Sequence, residues 1–84
     1  MKRNWKGIVD WFKKEEGYGS ILLDEENGIR VFAHFSSIAD DPIKFPDGYK
    51  YLLKGQIVFF HLIENPDINN EQRFVAQNIA IISE

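Results

Sequence analysis

The sequence predicts an all-β domain, a small closed or nearly closed barrel of five strands. β-Branched and aromatic residues gather in five short runs, separated by polar segments rich in Gly, Pro, Asn and Asp. No stretch carries a helical periodicity of useful length. A closed sheet also suits a chain of 84 residues, because it leaves no strand edge unpaired.

The first strand is expected over Ile8–Phe12, closed by the polar run Lys13-Lys14-Glu15-Glu16-Gly17. The second covers Tyr18–Leu23 and ends in Asp24-Glu25-Glu26-Asn27-Gly28. Asn-Gly is a strong turn signal because both residues tolerate positive φ, so the third strand, Ile29–His34, should form a hairpin with the second. Phe35-Ser36-Ser37-Ile38 reads as a short helical turn with Ile38 tucked inward. Residues 39–54 then make a long connection containing Pro42, Pro46, Asp47-Gly48, Tyr49 and Tyr51. Connections of that length without regular structure are uncommon and often functional. Gln56–Ile63 and Arg73–Ile82 are the fourth and fifth strands, joined through the turn-rich Asn65-Pro66-Asp67-Ile68-Asn69-Asn70.

Composition fits a soluble domain, with 44% apolar and 27% charged residues. Residues 1–84 are expected to form one domain, too short for a second core. The absence of cysteine excludes disulfide staples and thiolate metal sites, which agrees with a cytoplasmic location. The N-terminus is basic but has no apolar run behind it, so it is not expected to be a signal peptide. Ile57-Val58-Phe59-Phe60, the longest apolar stretch, is too short to cross a bilayer, and no membrane association is expected. Net charge is −3, which disfavours a nucleic-acid partner, yet five of the ten basic residues (Lys2, Arg3, Lys6, Lys13, Lys14) fall in the first fourteen positions. The acids gather instead in turn segments, where solvation alone accounts for them.

Strand alternation selects an outer face. Val31, Ala33 and Phe35 share one side of the third strand, while Phe32 and His34 share the other. The small aliphatic pair belongs inside, so Phe32 and His34 should point outward. On the second strand Tyr18 and Ser20 oppose Ile21 and Leu23, which adds Tyr18 to the outer face. Trp11 joins it only if the first strand carries a bulge or sharp bend between Val9 and Trp11. Neighbouring rings exposed on a sheet form a platform for unpaired bases, each stack being worth ~1–3 kcal/mol.

The ordered motifs resemble the cold-shock domain family. Lys6-Gly7-Ile8-Val9-Asp10-Trp11-Phe12 is similar to the family's opening K-G-x-V-K-W-F, and Glu16-Gly17-Tyr18-Gly19-Ser20-Ile21 to its K-G-F-G-F-I. Val31-Phe32-Ala33-His34-Phe35-Ser36-Ser37-Ile38 is similar to V-F-V-H-F-S-x-I, and Gly48-Tyr49-Lys50, Leu53-Lys54-Gly55-Gln56 and Ala76-Gln77-Asn78-Ile79 to later segments. The resemblance implies a five-stranded antiparallel OB-fold barrel that binds single-stranded RNA or DNA, often as an RNA chaperone, without cofactor or turnover. Carried over by position, Trp11, Tyr18, Phe32, His34, Phe35 and Tyr49 would stack on bases, with Phe12 flanking them. Lys6, Lys13 and Lys50 would contact phosphates. A monomer or a strand-exchanged dimer is expected, with the long connection as a hinge.

Three departures bear on affinity. Ser20 stands where the family has a second Phe, and Asp10 and Glu16 stand where it has Lys. Lys14 and Arg30 are expected to compensate in part. These departures also define the alternative, a protein-interaction module on the same barrel that has lost most nucleic-acid binding. His34 and His61 lack the carboxylate or Cys spacing of a metal site, and Ser36 and Ser37 lack a nucleophile motif, so neither a metal site nor an enzyme is expected.

Overall fold

A computed structural model describes residues 4–23, 28–64 and 73–83, the last without the side chain of Ser83. Five strands close a barrel: β1 (Asn4–Lys13), β2 (Tyr18–Leu23), β3 (Arg30–His34), β4 (Ile57–Glu64) and β5 (Phe74–Ser83), in the order β1-β2-β3-β5-β4. Each strand lies where its β-branched and aromatic run predicts. β1 is the largest difference, beginning at Asn4 because Asn4–Ile8 pairs with His61–Ile57 of β4. The Asp24–Asn27 turn and the 65–72 loop, with Lys2 and Arg3, lie outside the described residues.

The expected antiparallel pattern holds for β1–β2, β1–β4, β2–β3 and β4–β5. The barrel closes differently, through a parallel seam in which Phe32 of β3 faces Val75 of β5. A parallel bridge between Ile38 and Ile79 continues that seam.

The bulge expected in β1 is present. Val9 pairs with Ile21 and Trp11 with Ser20, so Asp10 is the extra residue. Beside it the Val9 N–H donates to Gln56 O at 2.9 Å, and the Gly55 N–H donates to Val9 O at 2.9 Å. The bulge changes the phase of alternation: Val9 is fully buried while Trp11 turns to solvent. Gly19 allows the strands to meet here, since a Cβ on it would lie 2.2 Å from the Trp11 carbonyl oxygen.

The interior is filled by Val9, Ile21, Val31, Val58, Phe60 and Ile79, one or more from each strand. Burying each such side chain contributes about 1.5–3 kcal/mol. The long connection is part of this core, because Phe45 and Leu52 are buried within it. Asp41 organises its first turn: its Oδ1 accepts from the Ile43 and Lys44 N–H groups, and its carbonyl accepts from the Phe45 N–H. The short turn at Phe35–Ser37 is a 3-10 turn, and Ile38 behind it is buried as expected.

Candidate nucleic-acid interface

Antiparallel register builds the candidate surface row by row. Trp11, Ser20 and Phe32 are direct neighbours across β1, β2 and β3, and Lys13, Tyr18 and His34 form the adjacent row. All six follow the outward phase of their strands. The Tyr18 ring lies between its neighbours, edge-on to Trp11 at 5.8 Å and stacked with Phe32 at 6.0 Å and 27°. Such geometry suits the ring quadrupoles and fixes the three side chains relative to one another. The Lys13 ammonium lies 5.9 Å from the Trp11 and the Tyr18 ring centres, which places a cation beside the rings.

His34 caps the 3-10 turn. Its Nδ1 accepts from the Ser36 N–H at 3.2 Å and lies 2.8 Å from Ser36 Oγ. With Nδ1 accepting, the neutral ring carries its proton on Nε2, which is then the donor available to a ligand. Phe35 corrects the expectation from strict alternation, which puts it beside Val31 and Ala33. The strand ends at His34, and the 3-10 turn rotates Phe35 outward, 45% exposed and 4.5 Å from the His34 ring. It covers Gly17, whose φ is +82° and where a Cβ would sit 2.6 Å from Phe35 Cδ1. Glycine is required there on both counts.

A second ring group lies on the long connection. Tyr49 sits 6.2 Å from Tyr51, and Tyr51 is edge-on to buried Phe45 at 5.6 Å. The Tyr49 hydroxyl donates to Lys14 O at 2.6 Å, and the Lys14 ammonium lies 4.1 Å over the Tyr51 ring. The two ring groups therefore meet at the Lys13–Gly17 turn.

Other expected site residues lie elsewhere. Phe12 turns to the inner side, half-buried and packed against the core beneath Gly19, rather than joining the outer rings. Lys6 lies opposite Phe59 on the β1–β4 seam, a strand-half away from Trp11. Lys50 is ion-paired with Asp40, and its ammonium donates to that carboxylate and holds the Asp40 carboxyl below the usual carboxylate range. Arg30, expected to offset the acids, is held by one of them: its Nη1 donates to Asp10 Oδ2 at 2.7 Å.

A recess of about 780 Å³ opens beside the rings, with Ser20 in its lining between Trp11 and Phe32 and with Arg30, Arg73 and Phe74 around it. Arg73 and Phe74 are missed by sequence reasoning, because the parallel β3–β5 seam that brings them to this face leaves no mark in the residue pattern. No group of three or more His, Cys, Asp or Glu that could hold a metal occurs among the described residues. Nor is any described helix long and apolar enough to cross a membrane.

Residues 5–81 match the family model described as 'Cold-shock' DNA-binding domain. The chain belongs to the cold-shock domain family. Relatives agree with that assignment. The domain is 44% identical over 59 residues to the cold shock protein CspA of Staphylococcus aureus strain USA300, covering 70% of this chain and 77% of the relative. The same identity and coverage relate it to the CspA of Staphylococcus haemolyticus strain JCSC1435. It is 39% identical over 62 residues to the cold shock-like protein of Aquifex aeolicus strain VF5, covering 74% of this chain and 79% of that one. The closed five-stranded barrel is the OB-fold architecture expected of cold-shock domains.

Proposed function

We propose that this cold-shock domain binds single-stranded RNA or DNA by stacking unpaired bases on Trp11, Tyr18, Phe32, His34 and Phe35, with Tyr49 extending the track. The observation that carries this reading is the ring row itself, Trp11–Tyr18–Phe32, on the outward phase of three adjacent strands. Rings so placed accept any base face, so binding is tolerant of sequence over most of the track. Lys13, 5.9 Å from the Trp11 and Tyr18 ring centres, meets the phosphate backbone; Lys50 and Lys6 act further along the rim. Bases held on the rings are withheld from pairing, so the equilibrium effect is to disfavour hairpins, as an RNA chaperone or regulator of gene expression in the cytoplasm does. The protein acts without cofactor or turnover, as a monomer or a strand-exchanged dimer.

Titration of tryptophan fluorescence with oligo-dT and oligo-U at two salt concentrations tests the reading. Saturable quenching of Trp11 that weakens with salt is expected, because each neutralised phosphate on a single strand contributes about −0.7 to the log–log salt slope. The double change Phe32→Ala with His34→Ala should lower affinity roughly tenfold or more if each lost stack is worth ~1–3 kcal/mol. Unchanged affinity in a folded double variant would rule out the ring platform. A second reading, a protein-interaction module on this barrel, draws on the Asp10–Arg30 pair, which cancels a cation at the rim. Absence of quenching at high micromolar strand would favour it.

A further inference from the structure

We propose that Lys14 is a positioning residue: it clamps the long connection to the β1–β2 turn and so presets Tyr49 for a base, its charge engaged within the protein rather than by phosphate. This inference rests on the reading of the outer face as a nucleic-acid surface. Sheet register fixes Trp11, Tyr18 and Phe32 relative to one another. Tyr49 has no such ladder, because it stands on irregular chain between η-turn and β4, at residues 39–54. A ring on loose chain is ordered only when its ligand arrives, and that entropic cost lowers affinity unless the protein orders the ring beforehand.

Three contacts close a circuit through Lys14. The Tyr49 hydroxyl donates to the Lys14 carbonyl at 2.6 Å, the Tyr49 ring lies 6.2 Å from Tyr51, and the Lys14 ammonium returns over the Tyr51 ring at 4.1 Å. Tyr51 ties the circuit to the interior, since it meets buried Phe45 edge-on at 5.6 Å. Lys50, between the two tyrosines, is paired with Asp40 near the start of the connection. Tyr49 is thus held by its hydroxyl while remaining 48% exposed, which leaves ring surface for a base. The ring quadrupole of Tyr51 holds the Lys14 cation, so removing the charge loosens Tyr51 and with it Tyr49. Consecutive lysines therefore serve different ring groups: Lys13 lies beside Trp11 and Tyr18, and Lys14 over Tyr51.

The test titrates a thymine tetranucleotide and a nonanucleotide by fluorescence anisotropy at two salt concentrations, lengths within the roughly 4–16 nucleotides that one OB fold covers. Circular dichroism confirms that each variant is folded. Lys14→Met should weaken nonanucleotide binding about three- to tenfold, the scale of one cation–π contact, and leave tetranucleotide binding within about twofold. Lys14→Arg should restore the wild-type value. Tyr51→Leu keeps the Lys14 charge and should weaken the nonanucleotide as Lys14→Met does, and the double variant should lose no more, because both changes break one contact. An equal loss at both lengths in Lys14→Met, or a salt slope shallower by about 0.7 on the tetranucleotide, would make Lys14 a phosphate ligand and overturn the inference. Wild-type affinity in Tyr51→Leu would also overturn it, and either result leaves the ring platform standing. Absence of binding to both oligonucleotides by the wild type would remove the nucleic-acid reading, and this inference with it.

Discussion

Arg30 reaches from β3 over the outer face to Asp10, the extra residue of the β1 bulge, and its Nη1 donates to Oδ2 at 2.7 Å. The pair is partly exposed, 59% for Arg30 and 26% for Asp10, so its own contribution to stability is small. Its effect is on the field at the rim of the rings, where an arginine that would otherwise attract phosphate is neutralised by its neighbour.

Asp10→Asn should therefore release Arg30 for the phosphate backbone. Oligonucleotide affinity is expected to rise, and the log–log salt slope to steepen by about 0.7, the value for one additional phosphate contact. Thermal stability should change by less than about 0.5 kcal/mol, as for other surface substitutions. An unaltered salt slope would show that Arg30 lies off the path of the strand.

Lys50 and Asp40 make a second test of the same kind. The Lys50 hydrogen bond, and then its charge, favour the ionised Asp40 carboxylate in the folded protein. Because the folded value is depressed, the linked stability is complete above the ordinary carboxylate range and is lost as pH falls through the lowered value. Carbon-detected NMR titration should show Asp40 protonating below the ordinary aspartate range, and Lys50→Met should return it to that range. Asp40→Asn should tighten oligonucleotide binding if Lys50 contacts phosphate.

Gly17→Ala should unfold the protein more readily and disturb Phe35. A φ of +82° disfavours any L side chain, and the new methyl would lie 2.6 Å from Phe35 Cδ1. The expected loss is ~1–3 kcal/mol, the cost of one strained backbone position. A fall in Tm of several degrees, with weaker oligonucleotide binding in the folded variant, would agree with this. No change in Tm would show that the turn relaxes freely.

The long connection separates two apolar residues that look alike in sequence. Phe45 is 6% exposed and Ile43 is 92% exposed. Phe45→Ala should lower stability by about 3–5 kcal/mol, as for other buried phenylalanines. Ile43→Ala should stay within about 0.5 kcal/mol of the wild type. Denaturant unfolding measures both.

The parts of the molecule legible in the sequence are those governed by local rules. The Asn27-Gly28 turn signal and the alternation of β2 and β3 place Tyr18, Phe32, Val31 and Ala33 on the faces they occupy. Even the bulge follows locally, because Val9 and Trp11 cannot satisfy burial and exposure in one unbroken phase. Other features depend on residues distant in the chain. Nothing in the residues around Lys50 or Arg30 reveals that Asp40 and Asp10 hold them. Phe35 escapes alternation because the backbone leaves the extended conformation immediately after His34. Phe45 and Leu52 lie in irregular chain with no period to reveal their burial, and Arg73 and Phe74 reach the face only through barrel closure.

That closure ties the surface to the order in which the chain can assemble. The β1–β2 and β2–β3 pairings join strands adjacent in the chain, whereas Phe32 meets Val75 only after the long connection and the fourth strand are in place. Loop closure over so many residues carries an entropic cost that local pairing does not, which predicts that the parallel seam forms after the local pairings. Trp11, Tyr18 and Phe32 all precede the long connection in the chain. The strand that borders Phe32 comes last in the chain, so a chain ending before β5 carries all three rings without the neighbour that closes the sheet beside them.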